Sequence, residues 1–382
     1  MITNILLFSF VIVFVLILII NLMIKEVLDK FSNGKKERSP IITFSLTISI
    51  VLILFSFFAP YFFTSTTIGK SIVTTEEIGL IGDTMGGTMN PFIAISAALL
   101  TFLAFWIQYK ANEQQKKDLQ VERFENKFYE MLKIHRDNIT EITIGKTLAG
   151  RKSFISMFNE LKFTYYVVKD YNDKKYTSLK LQDEISDEIV YNISYLIFFF
   201  GIGSNSSLII LDMIDEKHKG FFKCIEEYIK QQQILWRAER KKGKSIAVNS
   251  LDGVFELNIR YLPCNGQMSK LSHYVRHLFQ LVKFVDDADE KVFDYSSKYN
   301  YIASIRSQLS AHEQLLLFYN AVSVLGKPWL DSPNYLKKYC VIKSCPLPLA
   351  NFYKNPRDIL GDINEYGKVM FEWGEIKNRL NL

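Results

Sequence analysis

Three apolar stretches precede residue 110 without a charge: 1–24, 41–63 and 84–109. A hydrocarbon core about 30 Å thick takes about 20 helical residues, so each stretch is long enough to cross a bilayer. Within lipid the backbone has to satisfy its own hydrogen bonds, which favours helix even where Ile, Val and Phe dominate. The pattern predicts spans over about 2–24, 41–63 and 88–109. The first stretch has no basic leader and no small-x-small cleavage site, so it reads as a span and not as a cleaved signal. After Tyr109 the chain turns polar, with Leu119, Phe124, Phe128, Met131, Leu132 and His135 at helical spacing. That spacing predicts a stalk helix over 110–140.

Beyond the stalk, 141–382 reads as a helical cytoplasmic domain. Amphipathic periodicity predicts helices over 152–171, 183–200, 206–217, 220–240, 268–287, 297–308, 311–325 and 361–380. The run 195–202 is very apolar but only about two turns long, which fits a buried core helix and not a fourth span. Phe255, Leu257, Ile259 and Tyr261 alternate after Asp252-Gly253, the pattern of a short hairpin. The expected fold is therefore all-α: N-terminal transmembrane helices, a stalk helix and an α-helical cytoplasmic domain.

Charge orients the spans. Segment 25–40 carries Lys25, Lys30, Lys35, Lys36 and Arg38, whereas 64–90 carries only Lys70 against Glu76, Glu77 and Asp83. Past residue 109 the bases resume with Lys110, Lys116, Lys117, Arg123 and Lys127. The positive-inside rule puts 25–40 and everything after 109 in the cytoplasm, as expected for a multi-pass membrane protein. The chain of 382 residues has a net charge of +6. Bases and acids balance up to Tyr109, so the excess lies in the cytoplasmic part. It suits anionic lipid or nucleic acid, and is equally ordinary for a helical domain. An apolar fraction of 48% excludes global disorder, and four cysteines exclude a disulfide scaffold.

Several motifs invite a chemical reading. Gly69-Lys70-Ser71 and Gly243-Lys244-Ser245 lack the upstream glycine of a phosphate-binding loop, having Thr64 and Ala238 in its place. His273 and His277 share a helix face, but no third metal ligand accompanies them. Nothing in these patterns calls for a metal or another cofactor. Lys230–Lys244 brings six bases around Trp236, an arrangement that could track phosphates with a stacking platform; equally, bases suit a helix C-terminus. Arg306 and His312 bracket five residues and resemble the active-site pattern of HEPN-type ribonucleases, in which Arg and His act on an RNA phosphate. Against this, Ser310 and Glu313 form a capping box that accounts for the same residues by helix punctuation, with Gly326 and Pro328 ending the helix. Ahead of the third span, Gly82, Asp83, Gly86, Gly87, Asn90 and Pro91 form an unusual approach: Asn90 fits an N-cap and Pro91 a first helical turn. The two glycines allow a tight bend or a subunit contact.

Three stretches in this order resemble the phage abortive infection proteins of bacteria: IGDTMGGTMNPFIAISAALLTFLAFWIQYKANEQQ (81–115) with FENKFYEMLKIH (124–135), LSHYVRHLFQLVKFVDD (271–287) and YIASIRSQLSAHEQLLLFYNAVSVLGK (301–327). The chain departs from the common form of that family by the extra span 1–24. The resemblance implies antiviral defence, in which an infected cell stops growing or dies before phage matures. It implies a functional surface at Arg276, His277, Arg306, Gln308, Glu313 and Asn320, but supplies no reaction. The expected protein is a membrane-anchored effector or sensor, with the bilayer, a second copy of the chain and a phage component as partners and nucleic acid as a further candidate. A membrane-anchored ribonuclease using Arg306 and His312, or a docking platform for a separate effector, is the alternative.

Overall fold

The computed structural model describes residues 17–26, 40–65, 78–144, 148–179, 185–242, 244–250, 253–259 and 261–372. Outside the described residues lie 1–16 of the first expected span, the segments 27–39 and 66–77 with Gly69-Lys70-Ser71, residue Gly243, and the end of the expected helix 361–380. The chain divides into two compact units, residues up to Gln120 and residues from Val121 onward, and each is described by itself.

In the first unit, α1 covers 17–26, α2 runs Pro40–Ser65, and α3 starts at Ile78 and continues unbroken to Glu141. Two of these helices, α2 at Ile42–Ala59 and α3 from Met85, are long and apolar enough to cross a membrane. Their side chains are sorted in an unusual way. The buried positions of α2 include Thr43, Ser45, Thr47, Ser49 and Ser56, and α3 buries Ser96. Thr47 and Ser96 donate to the carbonyls four residues back, Thr43 and Phe92, and Asn21 of α1 donates to Thr47 Oγ1 at 3.2 Å. The bulky apolar groups are left outside: Phe57, Phe58 and Phe105 are each at least 66% exposed. Small polar residues between helices and large apolar ones outward is the arrangement of helices that pack within lipid.

The expected helix start at Asn90-Pro91 is corrected. Gly82, Asp83, Gly86, Gly87, Asn90 and Pro91 all lie inside α3, which starts before them at Ile78, with Pro91 internal to the helix. Pro91 forfeits one backbone bond to the turn before it. Among apolar neighbours the remaining bonds keep the helix continuous, because nothing else there can satisfy them.

The second unit is mostly helical. A minimal β1–β2 pair (Thr143–Ile144, Leu148–Ala149) follows α3, and then come α4 (Arg151–Leu179), α5 (Asp187–Phe200), α6 (Ser204–Met213) and α7 (Glu216–Lys241). The expected hairpin forms: β3 (Ile246–Ser250) pairs antiparallel with β4 (Gly253–Leu257). After it come α8 (Met268–Asp286), α9 (Tyr295–Arg306), α10 (Ala311–Ala321), α11 (Tyr335–Lys338) and α12 (Pro356–Leu360). The α4–α5 pair is central, with Phe154, Phe158, Leu161, Tyr191 and Tyr195 inside one continuous core. That core takes in Phe124 and Phe128 of α3, Phe124 stacked on Phe284 and Phe128 edge-on to Tyr301 at ring centroid distances of 5.0 and 5.1 Å.

Two expected helices are corrected. Over 361–371 the first part of the helix predicted for 361–380 is not formed. Gly361 adopts φ +74, Asn364 Oδ1 accepts the amides of Tyr366 and Lys368, and Ile363 bridges Val369. The helix expected over 311–325 stops at Ala321, where Ser323 turns back to donate to the Asn320 carbonyl at 2.7 Å.

The C-terminus of α5 meets the loop before α8 backbone to backbone. Gly201 (φ +84) and Gly266 (φ +87) face each other so closely that a Cβ on Gly266 would sit 2.4 Å from the Phe200 oxygen. The Gln267 amide also donates to Phe199 O at 2.9 Å. Left-handed backbone costs an L side chain about 1–2 kcal/mol before any collision. Gly266→Ala should therefore lower unfolding stability by at least about 2 kcal/mol. Gly220→Ala, in open space on α7, should raise it by about 0.5–1 kcal/mol. Thermal melts of the detergent-solubilised chain check both; equal shifts would contradict the close-contact account.

Candidate functional site

Helix α8 carries the site, and its spacing assigns each face. Leu271, Tyr274, Leu278, Leu281, Val282 and Val285 are buried in the core. Ser272, Val275, Arg276 and Phe279, at i, i+3, i+4 and i+7, form a neighbouring stripe. That stripe lines a cavity of about 360 Å³, closed by Phe200 from α5, Asn320 from α10 and Trp329 from the turn after it. Its walls are mostly apolar and aromatic. Arg276 is exposed at the cavity and has no ion pair among the described residues. Asn320 is 3% exposed; its Nδ2 donates to Tyr195 Oη at 2.7 Å, while its Oδ1 is buried with no donor. The wall at Asn320 is fixed by Gly326, where a Cβ would fall 2.0 Å from the Asn320 carbonyl oxygen.

On its other side, α8 meets a buried polar cluster. Glu313, fully buried, accepts from Tyr274 Oη at 3.0 Å and from the Ser310 amide at 2.8 Å, completing the expected capping box. Arg151 approaches Glu313 Oε2 at 3.8 Å and donates to the Gln308 carbonyl at 2.7 Å. Burial, reinforced by Glu313, pushes the Tyr274 hydroxyl well above its usual range, so it stays a donor. Next to it His135 of α3 is fully buried, its ring 6.0 Å from His277 and 5.0 Å from Tyr274, with no hydrogen-bond partner on either nitrogen among the described residues. Burial, then the charges of His277 and Arg151, lower His135 to about 4; burial lowers His277 as well.

A third buried group positions the start of α8. Glu160 of α4 accepts from Tyr261 Oη and Gln267 Nε2, both at 2.7 Å, and from the Cys264 amide at 3.0 Å. Burial raises it to about 7 despite these three donors.

The residues expected to share one surface fall into three places. Arg276 and Asn320 meet at the cavity. His277 and Glu313 belong to the buried cluster, where Gln308 contributes its carbonyl. Arg306 is committed elsewhere: Nη1 donates to the Cys340 and Tyr339 carbonyls at 3.0 and 3.3 Å, and the guanidinium lies 5.3 Å from the Tyr299 ring. His312 is half-buried, edge-on to Phe158. The pair required by the ribonuclease reading thus makes separate contacts, with the arginine holding backbone. Trp236 is corrected as a stacking platform, since it is 5% exposed and packs on Phe163. His273 is exposed and His277 faces His135, and among the described residues no three His, Cys, Asp or Glu side chains cluster to hold a metal. The sequence reading missed Ser272, Phe279, Trp329 and Phe200; the i, i+3, i+4, i+7 stripe was the available signal for the first two.

Comparison with known proteins gives a family match to part of the chain. Residues 266–348 match the family described as Putative phage abortive infection protein. The match contains α8, α9 and α10, and hence every cavity residue named above except Phe200. It covers two of the three resembling stretches, 271–287 and 301–327, and leaves 81–115 outside. No curated protein and no solved structure matches the chain.

Because His135 is depressed to about 4 in the folded chain and has a pKa of about 6.5 when unfolded, its neutral burial is accommodated above pH 6.5 and destabilises as pH falls toward 4. Glu160 acts oppositely, losing stability as pH rises from 4.5 toward 7. His135→Phe should leave stability at pH 7.5 within about 1 kcal/mol and exceed the parent by roughly 2 kcal/mol at pH 5. Denaturant titrations at the two pH values check this, and parallel pH profiles would contradict it.

Proposed function

We propose that the chain is a membrane-anchored effector or sensor of phage abortive infection, with the segment before residue 110 in the bacterial inner membrane and the helical body in the cytoplasm. One observation carries the reading: a family signature of abortive infection sits in a chain whose helix α3 begins as a membrane-length apolar segment and ends with Phe124, Phe128 and His135 in the core of the second unit. The change of character along α3 supports the boundary. Trp106, Tyr109 and Lys110 adjoin where the apolar run ends, Lys110 Nζ lying 5.7 Å from the Trp106 ring, the residue types that anchor at a headgroup layer. The basic segments 25–40 and 110–127 support the cytoplasmic side.

In this reading the helical body recognises infection and alters the packing around Phe128 and His135, on the helix that continues as the last span. A differential contact of a few kcal/mol is enough to bias such a two-state element. The site at α8 is one of recognition: it offers a cavity with a cation and an amide, while the Arg306 of the ribonuclease reading holds carbonyls.

Expression in a phage-sensitive bacterium tests the proposal. The full chain should lower phage yield with loss of infected cells, and a chain beginning after Tyr109 should not protect. His312→Ala should protect as the parent does, with cellular RNA intact. Protection by the truncated chain, or RNA cleavage that His312→Ala abolishes, would overturn the reading.

A further inference from the structure

We infer that the cavity beside α8 binds a small aromatic anion: one or two flat rings bearing a carboxylate or phosphate and one N–H or O–H donor. Its volume, about 360 Å³, lies at the low end of ligand sites, which span about 300–1,000 Å³. That restricts the occupant to a compact molecule. Phe200, Phe279 and Trp329 supply apolar aromatic walls suited to offset or edge-on ring contacts.

The polar groups fix the rest of the chemistry. Arg276 stands at the cavity without a carboxylate among the described residues, so its planar donors are free for an anion. The Oδ1 of Asn320, a cavity-lining residue, is buried with no donor among the described residues, and a buried acceptor left unmade costs free energy that a ligand N–H or O–H reaching it would recover. Among the described residues nothing else uses this atom, whereas the same side chain's Nδ2 is already committed to Tyr195. The walls are also set in advance. The Gly201–Gly266 contact holds the end of α5 against the start of α8, and Gly326 holds the turn that brings Trp329 against Asn320. A site formed before binding spends little affinity on ordering itself.

The inference rests on the recognition reading of this site, yet binding is measured without phage, so the two fail separately. Phage protection without binding would leave the defence role standing and remove the ligand class. Binding without protection would do the reverse.

The test is calorimetric titration of the detergent-solubilised full chain with indole-3-acetate, 4-hydroxyphenylacetate and phenyl phosphate, the last separating phosphate from carboxylate. Neutral indole-3-acetamide is the control. At least one of the three anions should bind saturably with one site per chain. The acetamide should bind at least about tenfold more weakly than its acid, and the exposed-site variant Arg276→Gln should lose about the same factor for the anion that binds best. Ser272→Phe, which fills the cavity, should abolish binding while melting within a few degrees of the parent. No saturable binding of any anion, equal binding of acid and amide, or undiminished binding by folded Ser272→Phe would overturn the inference.

Discussion

Where the large apolar side chains end up governs everything else in this chain. In the second unit Phe128, Phe154, Phe163, Phe222 and Phe318 are fully buried, as water demands. In the first unit, the opposite holds, with phenylalanines outside and serines and threonines inside. Each exposed phenylalanine in water forgoes roughly 1.5–3 kcal/mol of burial, and a patch of them on two long helices would aggregate. A hydrocarbon surround removes that cost and leaves close approach and hydrogen bonding as the forces between helices, which is what Thr47 and Asn21 supply. The proposed bilayer placement follows from this inversion, and the positions of the basic segments then set its direction.

The candidate site of the second unit is built around α8, which faces three environments at once. Its buried stripe locks it to the core, Glu160 and the paired glycines fix its first turn, and Asp286 closes its end by ion pairing with Lys338. Between these anchors one flank meets the His135–Glu313 cluster and the other meets the cavity. A ligand on one flank and the α3 side chains on the other therefore press on the same rigid element. Such an element can carry a signal provided its alternative packings differ by only a few kcal/mol. In that contact the imidazole of His135 has no hydrogen-bond partner among the described residues, so its burial recovers no hydrogen bond.

Much of this was legible from residue order. Charge-free runs gave two membrane-length helices, Asp252-Gly253 gave the hairpin, and Ser310 with Glu313 gave a capping box that is present atom for atom. What escaped has physical reasons. Asn90 and Pro91 look like a helix start because local rules describe a chain in water, whereas apolar surroundings carry the helix through proline. The first part of the helix expected at 361–380 is instead a turn, because Gly361 and Asn364 impose turn geometry that an apolar count ignores. The cavity escaped because Phe200 and Trp329 reach it from elements far apart in sequence, and no spacing rule links them. The Arg306–His312 pattern drew attention by spacing alone, while Arg306 donates to the Tyr339 and Cys340 carbonyls 33 and 34 residues away, contacts that no spacing rule shows.

The account stands on lipid as the solvent of the first unit, and carbonate extraction of bacterial membranes holding the full chain measures this most directly. The chain should stay in the membrane pellet at alkaline pH and be released only by detergent, with its C-terminal end digested by protease from the cytoplasmic side alone. Release into the carbonate supernatant, or digestion of that end from the outer side of intact cells, would contradict it.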